Sequence, residues 1–394
     1  MYSKKQVIKA VAIACAVTLL AGVLGTTAYW KINNYLNEDV LQTAKKIITQ
    51  NYVDKLTQEQ INTMNDAALT AMVASLQDPY SYYFDMDTFD QFEEKNKEEY
   101  VGIGISIVHD ANEKTLTVTA PTSGGPAEKA GILPRDLIIG VDNLTLSADG
   151  YNAIINHIKG GKEGDVVKLF IKRGDKDLEF SVVRSKIQIK TISTKMLDNN
   201  IGYLKISEFQ HNSVNDFSAA LGDIQTKGAK GLIIDLRSNP GGYADSVIKM
   251  TDMLLPKGTI AYLEDNKGNK EYFNSDKKCV DIPMVVLVNE GTASAAELMA
   301  GSLQAYDAAE IVGIKTYGKA VGQTPFMLTD ETAIYLTSAR YYTPKGECID
   351  KKGITPDVEI DLPEELKVSL STLSEGEDVQ LQAAMETIMK KVKE

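Results

Sequence analysis

Cysteine, histidine and tryptophan are scarce in this chain: three, three and one among 394 residues. Three cysteines cannot build a disulfide scaffold, and no two stand at the short spacings of a zinc site, which argues against structural zinc. Basic residues are in deficit as well, 42 Lys and Arg against 54 Asp and Glu, for a net charge of −12. That balance lacks the positive footprint a nucleic-acid partner requires. No internal repeat and no low-complexity tract is present, and 43% hydrophobic with 24% charged residues excludes collagen, a disordered tail and a polytopic membrane protein.

One long apolar run does occur. Lys4, Lys5 and Lys9 precede an uncharged stretch from Ala10 to Trp30, long enough as a helix for a bilayer core of about 30 Å. Basic residues ahead of it put the amino terminus in the cytoplasm. An uncleaved anchor is favoured over a signal peptide, because the run is long for one and Thr26-Thr27-Ala28 is only a passable cleavage site. Cys15 lies inside the run, too close to Lys9 for a lipoprotein site. With either reading the remaining chain is extracytoplasmic, where a bond between the distant Cys279 and Cys348 is permitted.

Three textures follow. Residues 31 to 99 form a helical arm, with Leu41, Ala44, Ile47 and Ile48 at helix spacing and Leu69, Met72, Val73 and Leu76 repeating it, until Asp78-Pro79 breaks the pattern. Residues 100 to 186 are a small β-rich domain with strands near Ile103–Val108, Thr115–Thr119, Leu137–Val141, Val166–Ile171 and Leu178–Val183, and one helix over Asp149–Ile158. Residues 187 to 364 alternate strands and helices, Gly202–Phe209, Val214–Ile224, Leu232–Leu236, Ser246–Leu255, Met284–Asn289 and Ser294–Ala308, the pattern of an α/β domain. A helical segment, 365 to 394, closes the chain.

Three places could carry chemistry. Met284-Val285-Val286-Leu287-Val288-Asn289 reads as a buried strand ending in a tight turn, with Ser294 where an apolar helix begins. Helix-terminal N–H groups there favour developing negative charge; equally, Ser294 is read as a plain N-cap. A nucleophilic serine needs a base. His109 and His157 fall in the β-rich domain and His211 follows a strand, so none is an evident partner. Lysine can serve if its amine is neutral, which apolar surroundings promote. Lys319 stands in Thr316-Tyr317-Gly318-Lys319-Ala320-Val321-Gly322-Gln323, a stretch without a second charge, and Gln323 can accept a hydrogen bond from the amine; alone, Lys319 would be a solvated surface lysine. Finally, Leu232 to Leu236 opens into Arg237-Ser238-Asn239-Pro240-Gly241-Gly242, whose glycines let backbone N–H groups approach a ligand, or form an ordinary turn.

Together and in this order these elements resemble the carboxyl-terminal processing peptidases, Ser-Lys serine proteases with an embedded PDZ domain. The resemblance covers nearly the whole chain, including Tyr341-Tyr342-Thr343-Pro344 and Gly353-Ile354-Thr355-Pro356-Asp357. It implies Ser294 as nucleophile, Lys319 as general base, Gln323 as the residue orienting it, and backbone N–H groups of Gly241, Gly242 and Ala295 as oxyanion donors. The chain departs from the family at Ala296, Ala320 and Gly322, none of which removes a chemical group. Tyr100-Val101-Gly102-Ile103-Gly104-Ile105, followed by Gly125-Pro126-Ala127 and Asp136-Leu137-Ile138, resembles a PDZ domain's carboxylate-binding loop, so Gly102, Ile103, Gly104 and Ile105 are expected to hold a peptide's carboxyl terminus, with the Asp149–Ile158 helix as the opposite wall. The implied fold is a spiral ββα core of the crotonase and ClpP-like type. The implied protein is a membrane-anchored extracytoplasmic endopeptidase, without metal or organic cofactor, acting on proteins with a free carboxyl terminus. Arg135 is a candidate for coupling the PDZ domain to the core, and the arm and the helix from Asp378 to Lys393 are candidates for homodimerisation. The rival readings are a catalytically silent PDZ adaptor, a Ser-His hydrolase using His211, and an acyl-CoA enzyme of the crotonase type.

Overall fold

The computed structural model describes residues 40–95, 99–110, 115–122, 124–276, 280–329, 332–367, 370 and 373–393. The apolar run from Ala10 to Trp30 and Cys279 lie outside the described residues. Among the described residues no helix is long and apolar enough to cross a membrane, and Cys348 carries a free thiol.

By internal packing the chain divides after Gln77. The first unit holds α1 (Val40–Asn51) and α2 (Gln58–Ala74). Thr57 and Gln60 cap α2 reciprocally, each side chain taking the other's backbone N–H at 3.2 and 2.9 Å. The expected stripe is present, but Ile47, Ile48, Met72 and Leu76 face solvent and only Val73 is buried.

The second unit opens with β1 (Tyr82–Phe84) and α3 (Met86–Lys95). The arm's helical pattern is thus interrupted by a short strand, because Tyr82, Tyr83 and Phe84 pair with a distant β-hairpin described below. Next come β2 (Glu99–Gly102), β3 (Ile105–Asp110), β4 (Thr115–Pro121), α4 (Pro126–Ala130), β5 (Leu137–Val141), β6 (Leu144–Thr145), α5 (Leu146–Lys159), β7 (Val166–Arg173), β8 (Lys176–Val183) and β9 (Ser185–Gln188). The sheet runs β3-β4-β5-β7-β8 with β6 on β5, and β2 pairs with β9 as an antiparallel stem. Ile103 lies between β2 and β3 rather than in the expected strand: its side chain is buried in the core of this domain with Leu116, Val118, Ile154 and Leu169. α5 begins three residues before its expected start and is kinked at Gly150.

The core domain follows with β10 (Ile192–Leu197), β11 (Ile201–Ile206), α6 (Ser213–Thr226), β12 (Gly231–Asp235), α7 (Ala244–Asp252), β13 (Gly258–Asp265), β14 (Lys270–Ser275), β15 (Met284–Val288), α8 (Ala295–Ala305), β16 (Ala309–Gly313), β17 (Val321–Met327), β18 (Ala333–Tyr342), β19 (Val358–Glu359), α9 (Glu364–Lys367) and α10 (Val379–Lys391). One sheet runs β10-β11-β12-β15-β16-β19, parallel from β11 onward. Every residue of β12 and β15 is buried, as a parallel strand covered on both faces must be. α6, α7 and α8 cover one face through Phe217, Val247, Met299 and Leu303, and α10 covers the other through Leu381, Ala384 and Ile388. A second, antiparallel sheet runs β1-β18-β13-β14, with β17 on β18. The alternation of strands and helices did not announce this sheet.

Candidate active site

Two loops leave the carboxyl ends of neighbouring parallel strands β12 and β15 and meet. Asn289 directly follows β15, and its Oδ1 accepts from the N–H groups of Ser238 and Gly291 at 2.7 and 3.1 Å. The Thr292 hydroxyl donates to the Leu236 carbonyl at 2.8 Å. Asn239 is wholly buried; its amide donates to the Ile206 carbonyl at 2.9 Å, and its own carbonyl accepts from Ala293 N–H at 2.9 Å. With so many buried polar groups paired across it, the junction is fixed.

Ser294 stands at the head of α8 with φ 55° and ψ −119°, a left-handed conformation costly for any residue with a Cβ. Such strain persists only where its surroundings impose it. Ala295, the first helical residue, has no helical carbonyl for its N–H. Gly241 comes against both: a Cβ there would lie 2.9 Å from Ser294 Cβ and 3.0 Å from Ala295 N. Gly242 (φ 139°) passes so close to Phe209 that a Cβ would sit 2.2 Å from its carbonyl oxygen, so only glycine fits. The expected donors divide here. Gly241 N–H is spent on Asn239 Oδ1 at 2.8 Å, which removes it as an oxyanion donor, whereas among the described residues no acceptor meets Gly242 N–H.

Lys319 lies in the loop between β16 and β17, and two side chains lock that loop to Ser294. Glu297, wholly buried one turn into α8, accepts Ser294 N–H at 2.9 Å and Lys319 N–H at 2.8 Å on one oxygen. Its other oxygen accepts Gly318 N–H at 2.7 Å and the Thr316 hydroxyl. Burial pushes its carboxyl up from the usual range, and these donors oppose the shift. Tyr341, from β18, directs its hydroxyl at the Ser294 carbonyl (2.7 Å) and the Lys319 carbonyl; burial holds its phenol protonated. Lys319 itself is half-buried. Desolvation lowers its amine below the ordinary lysine value, with Asp78 pulling the other way. The amine rests 4.5 Å from the centre of the Tyr80 ring.

Gly242, Ser294, Ala295, Lys319 and Gln323 line one cavity of about 390 Å³. Gln323 Nε2 donates to Thr337 Oγ1 at 3.1 Å, and no hydrogen bond joins its side chain to the lysine amine. His211 is not among the lining residues; it stacks on Tyr243 at 3.9 Å, with Nδ1 3.6 Å from Asp245 Oδ1. His157 pairs with Asp142 at 2.6 Å. Behind the Gly241-Gly242 loop, Arg237 is clamped between Asp235 (2.7 Å) and Asp378 (2.9 and 2.8 Å, bidentate), all three buried. Tyr203 also donates to Asp235. Burial alone would raise the Asp235 carboxyl, but the Arg237 charge holds it below the usual range.

In the β-rich domain the Ile103 and Gly104 carbonyls accept from Ala127 and Thr122 N–H at 2.9 Å each, which shapes the loop from Gly102 to Ile105. β3 is an edge strand. His109, on β3, stacks on Tyr151, on α5, at 3.8 Å, so the strand and the helix touch there. On the helix expected as the opposite wall, Ile154 and Ile158 belong to the core and Ile155 is only partly buried. Arg135 sits in a turn with φ 73° and its side chain is exposed.

A strained serine at a strand–turn–helix junction, a half-buried lysine on the same cavity and a separate small β-rich domain fit the layout of a serine peptidase with an accessory module. The comparisons agree. Family models for Peptidase family S41, a PDZ domain and the Activating protease CtpB N-terminal domain match residues 200–360, 101–183 and 28–88. The carboxy-terminal processing protease CtpA of Bacillus subtilis (strain 168) is 37% identical over 333 residues, 84% of this chain and 70% of that one. A probable CtpA-like serine protease of Staphylococcus aureus (strain N315) is 32% identical over 366 residues, 90% and 72% of the two chains. Among solved structures, a photosystem II D1 C-terminal processing protease matches with TM-score 0.51 at 26% identity, over 84% of this chain and 89% of that one. A putative S41 protease from Bacteroides fragilis (TM-score 0.59, 19% identity, 88% and 96%) shares the fold. The chain belongs to the carboxy-terminal processing proteases of Peptidase family S41.

The positions of Glu297, Tyr341, Asn239 and Tyr80 in the site were not foreseen. Glu297 had a signal, since Ser-x-x-Glu ahead of an apolar helix is the capping-box spacing. Tyr341 lay within a quoted motif without a role. Nothing local marks Tyr80.

Proposed function

We propose that Ser294 is the nucleophile and Lys319 the general base of an endopeptidase that engages protein substrates by their free carboxyl terminus. The observation that carries this is the strained Ser294 backbone at the head of α8, on the same cavity as a lysine whose amine is desolvated. Neutral Lys319 takes the Ser294 Oγ proton as the oxygen attacks the scissile carbonyl. The Gly242 and Ala295 N–H groups face the oxyanion, and the ammonium returns its proton to the departing amine. Water then repeats the sequence on the acyl-enzyme. Gln323 orients the lysine once its amide leaves Thr337. Val247, Ile248, Ala261, Leu263 and Leu298 line the cavity, so the side chain it accepts beside the scissile bond is apolar.

The peptide's end would add to the free edge of β3, its carboxylate held by the Gly102-Ile103-Gly104-Ile105 loop, with Arg135 coupling that event to the core. The strand and helix order supports a spiral ββα core of the crotonase and ClpP-like type. The 21-residue apolar run from Ala10 to Trp30 supports a single-pass anchor with the catalytic part outside the cytoplasm, and the solvent-facing apolar stripe of α1 and α2 supports a homodimer.

The test incubates the full chain in detergent, as wild type, Ser294→Ala, Lys319→Ala and Arg135→Ala, with casein, following fragments by mass spectrometry. Cleavage by wild type with none by the Ser294 and Lys319 variants is expected. Cleavage retained by Lys319→Ala would sink the Ser-Lys reading. No cleavage by any sample, even with carboxyl-terminal peptides added, would favour the silent adaptor. An Arg135→Ala rate equal to wild type, with the same dependence on a free carboxylate, would end the coupling role.

A further inference from the structure

Among the described residues no hydrogen bond or ion pair is made by Lys319 Nζ, and the Tyr80 ring faces it, 4.5 Å from Nζ to the ring centre. That ring is held with care. Asp78 accepts Tyr80 N–H at 3.2 Å and the Ser81 hydroxyl at 2.5 Å, and Ser81 Oγ in turn accepts Thr337 N–H from β18 at 3.0 Å. Two residues on, Tyr82 of β1 enters register with Tyr335 of β18. The Tyr80 hydroxyl reaches that of Tyr317 at 3.4 Å, and Tyr317 N–H donates to the Thr292 carbonyl at 3.0 Å. The segment Asp78–Ser81 is therefore anchored to the hairpin of the antiparallel sheet on one side and to the turn before Ser294 on the other.

We propose that Tyr80 is a positioning residue for the general base: its ring is the seat of the Lys319 amine, shielding one side from water and receiving the ammonium that forms as Ser294 is deprotonated. The proposal rests on the Ser-Lys reading above. An aromatic face does both tasks, since it desolvates the neutral amine and its quadrupole attracts the cation. A carboxylate in that place would pair with the ammonium and keep it charged. Asp78 is the carboxylate that pulls in that direction, and desolvation of the amine outweighs it; its oxygens also accept Tyr80 N–H and the Ser81 hydroxyl. The other titratable groups facing the pair are Tyr317, Asp350, Glu297 and Tyr341. Tyr317 and Asp350 act on the Tyr80 phenol, which burial and these neighbours keep protonated. Glu297 and Tyr341 are occupied by the backbone of the lysine loop.

The sign follows. The neutral amine is the active form, so kcat/KM rises with pH through the lysine's folded value, which lies below 10.5 because burial dominates. Taking the ring away admits water and loses the cation's seat. Burial is the first cause of the amine's lowered value, so the readmitted water is taken to outweigh the lost attraction of the ring, and the acid limb moves up. The experiment measures kcat/KM against pH with fluorescein-labelled casein for the full chain as wild type, Tyr80→Ala, Tyr80→Phe and Lys319→Ala. Tyr80→Ala is expected to move the limb up by about one unit and to lower kcat at neutral pH about tenfold with little change in KM. Tyr80→Phe, which keeps the ring, is expected to rescue both. Direct titration of ¹³C-labelled Lys319 in Ser294→Ala, with and without Tyr80→Ala, reads the same shift without turnover and without a substrate. An unshifted limb and an unshifted titration in Tyr80→Ala, with Lys319→Ala inactive, would overturn the seat alone. An active Lys319→Ala would overturn the Ser-Lys reading beneath it. If Tyr80→Phe loses as much as Tyr80→Ala, the hydroxyl and not the ring is responsible, and the proposal also fails.

Discussion

Glu297→Gln tests whether one buried carboxylate holds nucleophile and base in register. The substitution is isosteric but gives the site one acceptor oxygen in place of two. The better orientation of the new amide keeps its oxygen on Ser294 and Lys319 N–H and turns the NH₂ toward Thr316 and Gly318. The Thr316 hydroxyl can rotate to accept. Gly318 N–H cannot, so it loses its acceptor in a buried place, at about 1–3 kcal/mol. The two retained bonds lose their charge assistance, about 1 kcal/mol each. Relief of the carboxylate's desolvation, visible in its raised pKa, returns part of this, leaving a net loss of about 2–4 kcal/mol. Gly318 is the neighbour of Lys319, so a shift of the loop carries the base with it, and a misplacement near 1 Å lowers kcat about 100-fold. Urea unfolding measures the first effect and casein hydrolysis the second, with KM nearly unchanged. A wild-type kcat in a destabilised variant would refute the positioning role and leave Glu297 an ordinary buried acid; a wild-type kcat and urea midpoint together would refute the hydrogen-bond accounting as well.

Relieving the strain at Ser294 is expected to separate stability from function. Ser294→Gly and Ser294→Ala should both be inactive, but the glycine variant, free to adopt φ 55° and ψ −119°, should unfold at higher urea by about 1–2 kcal/mol; equal midpoints would mean that the backbone there is not strained. Asp378→Ala should cost about 3 kcal/mol, below the full loss for a broken buried pair because Asp235 still holds Arg237, and should lower kcat through the loop to Gly242. Arg237→Met should cost more than Asp378→Ala, because it leaves both Asp235 and Asp378 buried without their cation, and an Arg237→Met variant at least as stable as Asp378→Ala would contradict the clamp.

What could be read from the sequence depended on how locally each element was determined. β12 and β15 are apolar on both faces, so Leu232 to Leu236 and Met284 to Val288 declare themselves without any knowledge of their neighbours, and the turn to Ser294 follows from the serine's place after a strand and before a helix. The antiparallel sheet was harder. In β17 the residues from Thr324 to Met327 are exposed, and β14 reads Lys-Glu-Tyr-Phe-Asn-Ser, so neither shows a buried strand's run or a clean alternation. The sheet exists because β13 and β18 join it to the core, a cause that no window of ten residues contains. Gln323 was named from a motif while the strand bearing it went unread. The donor assignment shows the same limit from the other side: Gly241 and Gly242 look equivalent in sequence, and only the Asn239 side chain, folded back onto Gly241 N–H, separates them. Glu297 collects donors from the head of α8 and from the loop that follows β16, and Tyr80 reaches Lys319 from the segment just before β1, with the whole β-rich domain between them in sequence. Such convergences are set by tertiary packing, so a motif can name the nucleophile and the base, whereas the groups that hold the two together are found only after the chain has folded.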